Sequence, residues 1–240
     1  MKYNFLESTA MVYIVSVKDG SSELCTATAF SKNGQKYQFF TAAHCVADYD
    51  EKTSETVLSK SVIFLNLEKP DGEKVAYKAK VLAIGEIKNF EDFAILEAEI
   101  DRDRSIMPLS ESDPELDEDV RIVTTPLRLL SAGFLQFRGY VSREKMDNMT
   151  LFEVKTKGAF GIQVIGLGTG FGASGAGVFS VKRGEVVGVV IGNAYNQQGH
   201  VTAIVSPITK FNNFYKEYKE GKRPLVDHKQ IDHKQIGPEP

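Results

Sequence analysis

The sequence predicts an all-β protein, and three observations carry that prediction. Short runs rich in β-branched and aromatic residues recur along the chain. Turn-forming dipeptides separate them. A polar stretch near the middle divides the runs into two halves of about six each. Regularly spaced short strands belong to a sandwich or a barrel, and two such halves fit two packed barrels.

The first half supplies runs at residues 11–17, 24–30, 37–41, 62–65, 75–83 and 93–96. Asp19-Gly20, Asn33-Gly34 and Pro70-Asp71-Gly72 punctuate them, and Asn33-Gly34 between two strand-like runs is a strong hairpin signal. The polar stretch, residues 110–119, reads as a linker between halves or as a surface loop. Runs resume at residues 120–124, 134–141, 151–156, 178–181, 186–191 and 201–205. One helix follows: Ser206 suits the N-cap, Pro207 the first helical position and Gly221 the closing turn. Ile208, Phe211, Phe214 or Tyr215, and Tyr218 recur at helical spacing and form a face for docking onto a sheet. The expected layout is a first barrel over residues 1–110, a second barrel with its helix over 111–222, and a polar tail over 223–240. The tail contains a tandem repeat, residues 227–231 and 232–236. Its two histidines stand beside carboxylates, but the segment lacks the apolar content to fold and reads as a disordered extension rather than a metal site.

Composition excludes several classes. With 240 residues, 42% apolar and 25% charged, the chain is ordinary for a globular protein. A net charge of −3 gives no electrostatic signal for nucleic acid or a membrane surface. No apolar run approaches the roughly 18 residues of a membrane helix. The N-terminus lacks an apolar signal core, which gives a cytoplasmic expectation unless the chain is a trimmed mature form. Cys25 and Cys45 read either as two reduced, buried thiols or as one disulfide, and their spacing does not decide; no structural metal set accompanies them.

Three sites carry chemistry. His44, in Thr41-Ala42-Ala43-His44-Cys45, ends an apolar run in small residues, which places an imidazole at a strand end with room beside it. His200 is the competing histidine and has no such collar. Asp92 stands at the mouth of the apolar run 93–96, where a carboxylate is costly unless paired, and an imidazole N–H would pair it. Glu91 is its charged rival, while Asp48 and Asp50 look like loop residues. Ser174, in Gly172-Ala173-Ser174-Gly175, follows a glycine-dense stretch that runs straight into a strand. A serine hydroxyl needs a base, the base needs a partner to fix its tautomer, and the developing oxyanion needs main-chain donors. The N–H groups of Gly172 and Ser174 suit that last task.

The order His, Asp, Ser, with Thr-Ala-Ala-His-Cys, Asp-Phe-Ala-Ile-Leu and Gly-Ala-Ser-Gly, resembles the chymotrypsin/trypsin-like serine proteases over about residues 10–220. The resemblance implies two six-stranded antiparallel barrels and a closing C-terminal helix. It implies His44 as base, Asp92 as orienter and Ser174 as nucleophile of a serine endopeptidase that works through an acyl-enzyme. It pairs Cys25 with Cys45 as a disulfide, and requires no cofactor and no metal. The implied partner is a protein or peptide substrate; the sequence leaves open whether the site is pre-formed or needs an activator that orders the glycine loop. Gly168 and Val190 occupy positions that line the main specificity pocket in this family, and their size and apolarity imply a small or apolar side chain at the cut site. Ala173 replaces the aspartate that in digestive members receives a freshly cut N-terminus, so activation by N-terminal cleavage is not expected. Two rivals stand beside this reading. One is an inactive barrel of the same shape used as a binding module. The other is an α/β-hydrolase, which the residue order and the lack of interleaved helices oppose.

Overall fold

The computed structural model describes residues 4–50, 53, 55–68, 72–124, 134–143, 150–151, 154–155, 157–165, 172–195, 201–223 and 226. Its strands are β1 (Thr9–Ser16), β2 (Ser22–Asn33), β3 (Lys36–Thr41), β4 (Ala47–Asp50), β5 (Glu55–Leu58), β6 (Ser61–Glu68), β7 (Lys74–Ile84), β8 (Ala94–Glu99), β9 (Asp119–Thr124), β10 (Leu135–Arg143), β11 (Thr150–Leu151), β12 (Val154–Lys155), β13 (Phe160–Ile165), β14 (Gly177–Ser180), β15 (Val186–Tyr195) and β16 (Val201–Pro207), followed by α1 (Ile208–Lys219). They close two antiparallel barrels of six strands, in the orders β1-β2-β3-β8-β7-β6 and β10-β13-β16-β15-β14-β9.

Alternation explains the outer strands. On β7 the lysines at 74, 78 and 80 face water while Ala79 and Val81 face inward. β2 is different: its residues from Cys25 to Phe30 are buried without a break. Cys25, Ala27 and Ala29 fill the first barrel, whereas Phe30 turns outward into a second cluster. β3 and β8 split the same way, with Phe39 and Leu96 inside and Phe40 and Ile95 outside. That outer cluster also holds Val123, Phe179, Val186 and Val189 of the second barrel and Ile208, Phe211 and Phe214 of α1. Phe211 sits at its centre, 5.2 Å from Phe30, 5.3 Å from Phe40 and 5.6 Å from Phe93, centroid to centroid. The pairs with Phe30 and Phe93 are edge-on, a geometry that adds about 0.5–1.5 kcal/mol each beyond the area buried. The barrels therefore share an aromatic core and are not two beads on a string.

The Asn33-Gly34 hairpin forms as the sequence suggests, with Asn33 opposite Lys36 and Gly34 at φ +61°. Several expectations change. Residues 151–156 do not supply a barrel strand: the described pairs Thr150–Lys155 and Leu151–Val154 form a small separate ribbon. The sixth strand of the second barrel is β13, which pairs with β10 and β16. Asp48 and Asp50 lie in the two-stranded β4–β5 hairpin rather than in a loop. Ser206 does not cap the helix. β16 runs on through Pro207, which occupies the N-cap position, and the Ser206 hydroxyl is buried with no hydrogen-bond partner among the described residues. The C-terminal end of α1 closes with Gly221 at φ +67°, with Gly221 N–H on the Tyr218 carbonyl (3.0 Å) and Lys222 N–H on the Glu217 carbonyl (2.9 Å). This is the pair of bonds of a Schellman motif. The stretch 110–119 is pinned rather than loose: Arg183 bonds Ser112 Oγ (2.8 Å), the Asp113 carbonyl (3.1 Å) and buried Glu118 (2.8 Å). Of the expected tail, Arg223 is engaged in ion pairs and Val226 packs on the first barrel's core; the repeat at 227–236 lies outside the described residues.

Candidate active site

His44 and Asp92 come from adjacent strand ends. β3 pairs with β8 in a register that sets Thr41 opposite Ala94. Three residues beyond Thr41 lies His44, in the 3₁₀ turn Ala43–Cys45; two residues before Ala94 lies Asp92. The register alone thus brings them together. Asp92 is 3% exposed and grips His44 twice: Oδ2 stands 2.7 Å from the ring Nδ1, and Oδ1 accepts the His44 main-chain N–H at 2.9 Å. A carboxylate can only accept, so Nδ1 carries the proton and Nε2 is the basic nitrogen of the neutral ring. Burial is the largest influence on His44 and lowers its pKa. The Asp92 charge, the hydrogen bond to Asp92 and the more distant charge of Glu23 outweigh it, and the net pKa is raised above 6.5. Glu91, the sequence rival, points elsewhere and pairs with Arg223.

Ser174 belongs to the turn that leads into β14, and that turn is bonded onto β2 of the other barrel. Thr26 N–H donates to the Ser174 carbonyl (2.8 Å), and Gly177 N–H donates to Thr28 Oγ1 (3.1 Å). Thr26 Oγ1 donates to the Gly172 carbonyl (2.7 Å); Thr124 Oγ1 lies 3.2 Å from the same carbonyl and 2.8 Å from the Thr26 hydroxyl. Gly172 (φ +95°) and Gly175 (φ +84°) both adopt backbone that L side chains rarely take. At Gly175 space is also lacking: a Cβ there would come 2.2 Å from the Thr26 carbonyl oxygen and 2.2 Å from Thr41 Oγ1. Cys45, the residue after His44, is disulfide-bonded to Cys25, and its Sγ lies 3.9 Å from the Ser174 carbonyl oxygen. The serine turn and the histidine turn are therefore in contact.

Among the described residues, no carbonyl engages the N–H of Gly172 or Ser174. Turns of this kind point successive N–H groups at one spot, where a negative oxygen can be held. Val190 meets the serine turn through its main chain, accepting from Gly175 N–H (2.7 Å) and donating to the Ala176 carbonyl (2.9 Å); its side chain is fully buried in the second barrel. Ala173 is likewise fully buried there. Gly168 and His200 lie outside the described residues. Among the described residues no group of three or more His, Cys, Asp or Glu side chains is arranged to hold a metal ion, and no helix is long and apolar enough to cross a membrane. The sequence reading missed Thr26, Thr41 and Thr124. A threonine in a strand carries no mark of its partner: Thr41 Oγ1 donates to the Thr26 carbonyl within the first barrel, and the packing of the two barrels brings the Thr26 hydroxyl to Thr124 and Gly172.

The family described as "Trypsin-like peptidase domain" matches residues 25–189. No curated protein matches the chain in sequence. Among solved structures, the chain is similar to a thermostable serine protease, AL20, from an extremophilic microorganism (TM-score 0.65, 14% identity, covering 88% of this chain and 95% of that one). It is also similar to the active form of the Rv3671c protease of M. tuberculosis (0.63, 15%, 87% and 79%) and to the apo MamO protease domain of Magnetospirillum magneticum (0.63, 12%, 89% and 98%). At these identities the likeness is one of fold.

Proposed function

The chain belongs to the trypsin-like peptidase domain family, and on that footing we propose that it is a serine endopeptidase with His44, Asp92 and Ser174 as its catalytic residues. The observation that carries the proposal is the double grip of Asp92 on His44, at 2.7 and 2.9 Å. An orienting carboxylate must fix both tautomer and ring position, and two bonds to one residue do both. Docking of the Ser174 turn on β2, in contact with Cys45, supports the same reading.

In the proposed reaction Ser174 Oγ attacks the carbonyl carbon of the scissile peptide while His44 Nε2 takes the hydroxyl proton. The carbonyl oxygen becomes an oxyanion held by the N–H groups of Gly172 and Ser174. The tetrahedral adduct collapses, the C–N bond breaks, and His44 returns the proton to the departing amine. Water then repeats the sequence on the acyl-enzyme and frees Ser174. Asp92 stays a carboxylate throughout and steadies the imidazolium. Gly168 is proposed to line a pocket for a small or apolar side chain, whereas Val190 lies in the second barrel's core and offers no surface of its own. A fluorogenic peptide panel tests this, and preference for Arg, Lys or Glu would refute it.

A fluorophosphonate probe should label the wild-type protein and not Ser174→Ala. Absence of labelling at any pH would favour the binding-module reading.

A further inference from the structure

We propose that Arg223 is a positioning residue for the His44–Asp92 pair, because its guanidinium holds the turn that presents Asp92 through a two-pronged ion pair with Glu91. This rests on the catalytic reading above and adds to it a residue 132 positions away from Glu91 in the chain.

The turn before β8 needs holding. It contains the 3₁₀ turn Ile87–Asn89, and Phe90 follows at φ +58°, a left-handed conformation that costs a bulky residue energy. Its main chain is bonded within itself, by Asn89 N–H to the Glu86 carbonyl (2.9 Å), Phe90 N–H to the Ile87 carbonyl (2.8 Å), Glu91 N–H to the Glu86 carbonyl (3.2 Å), Phe93 N–H to the Glu91 carbonyl (2.8 Å) and Gly85 N–H to the Phe93 carbonyl (2.8 Å), but these bonds do not fix it against the rest of the fold. One side is tied to β5, where Thr56 Oγ1 accepts the Ile87 N–H at 3.0 Å. Arg223 holds the other side. Its two terminal nitrogens meet the two oxygens of Glu91, each at 2.9 Å. This fork-on-fork geometry fixes orientation as well as distance.

The same guanidinium is also linked, through Phe214, to the residue that follows Asp92. It bonds Glu217 of α1 through Nε at 2.9 Å and lies 4.5 Å over the ring of Phe214. Phe214 is 1% exposed and packs against Phe93, the residue after Asp92, at 6.2 Å. Both neighbours of Asp92 thus lead to one arginine. Arg223 is placed there by the Schellman turn at Gly221, which reverses the chain just after the helix. Its side chain is 15% exposed and Glu91's is 30%, so solvent screens the pair less than an ordinary surface ion pair. Arg223 also answers the charge of Glu91, which would otherwise stand uncompensated beside Asp92.

The test uses the full chain in four forms: wild type, Arg223→Met, Arg223→Lys and Glu91→Gln. Three readouts apply: kcat and KM on a peptide substrate, the rate of fluorophosphonate labelling, and the titration of the His44 ring by NMR. Arg223→Met should lower kcat about tenfold with KM unchanged, because small losses of alignment act on the chemical step. The His44 titration should move to lower pH, since Asp92 and Glu23 are the groups that raise it. Arg223→Lys should recover part of both effects. Glu91→Gln, which leaves Arg223 its contacts with Glu217 and Phe214, should reproduce them and serves if Arg223→Met does not fold. A drop in melting temperature with wild-type kcat and wild-type His44 titration would overturn the proposal and make Arg223 merely structural. If the wild type neither labels nor cleaves, the catalytic reading fails instead, and the NMR titration still decides whether Arg223 holds Asp92 in place.

Discussion

Replacing Gly175 by alanine tests how tightly the two barrels close on the site. The new Cβ would stand 2.2 Å from the Thr26 carbonyl oxygen, 2.2 Å from Thr41 Oγ1 and 2.8 Å from Ala42 N. Two of these are main-chain atoms that cannot swing aside. The existing bond from Thr41 Oγ1 to the Thr26 carbonyl (2.8 Å) must break or shift as well. Left-handed backbone costs an L residue about 1–2 kcal/mol, overpacking about 1–3 kcal/mol, and the lost hydrogen bond about 1 kcal/mol. The sum is roughly 3–6 kcal/mol, and for a chain of this size each kcal/mol lowers the melting temperature by about 2–4 °C. Gly34→Ala is the matched control, because Gly34 has φ +61° and nothing within 4 Å of the added atom. It should lose only the conformational part, about 1–2 kcal/mol. Thermal unfolding followed by circular dichroism reads both, and fluorophosphonate labelling of Gly175→Ala should slow well beyond that of Gly34→Ala. Equal melting temperatures for the two variants would refute the close approach.

Three further outcomes follow from the same contacts. His44 has its pKa raised above 6.5 in the folded protein, so its charged form contributes stability that is fully present below pH 6.5 and is lost as pH rises through the folded value. Activity runs the other way, since the base must be neutral: the acid limb of kcat/KM should lie above pH 6.5, and Asp92→Asn should shift it down and cost on the order of 10⁴ in kcat. Cys25 and Cys45 close a loop with a sequence separation of 20, so the double serine variant should lose about 3 kcal/mol in denaturant titrations, with no change on adding reductant. Thr26→Val removes the nearer hydroxyl from the Gly172 carbonyl and should cost about 1–3 kcal/mol and slow labelling, whereas Thr26→Ser should restore both.

The barrels were legible because most of their strands alternate or run apolar and end in glycine turns. The exceptions have physical causes. β13 carries Gly161 and Gln163 between its apolar residues and abuts the glycine-dense stretch, so its alternation was hidden. β4 and β5 are acid-rich and half exposed and are held by pairing with each other, which no hydrophobic pattern announces. Ser206 has the chemistry of a cap, but its backbone is committed to β15, where it sits opposite Val189. At the site, residue type and neighbourhood singled out His44 and Ser174 as candidates, and the fold brings their two turns into contact through Cys45. Residue type alone did not separate Asp92 from Glu91, because both are carboxylates at the mouth of one strand; the family resemblance favoured Asp92. In the structure Asp92 bonds His44 and Glu91 pairs with Arg223. Arg223 itself could not be found from sequence, since nothing local links it to a turn in the other barrel.

The bonds across the barrels have a consequence for the order in which the protein is made. Thr26 meets Gly172 across 146 residues, Thr28 meets Gly177 across 149, and Gln38 meets Tyr215 across 177. Contacts so far apart form late and slowly. As the chain emerges from its N-terminus, the strands that bring His44 and Asp92 together are complete long before the Ser174 turn exists. Until then the outward hydroxyls of β2 are wet. The proposed site is finished only when the last strands and the helix arrive, so a chain still being synthesised carries His44 and Asp92 without the serine turn they are proposed to serve.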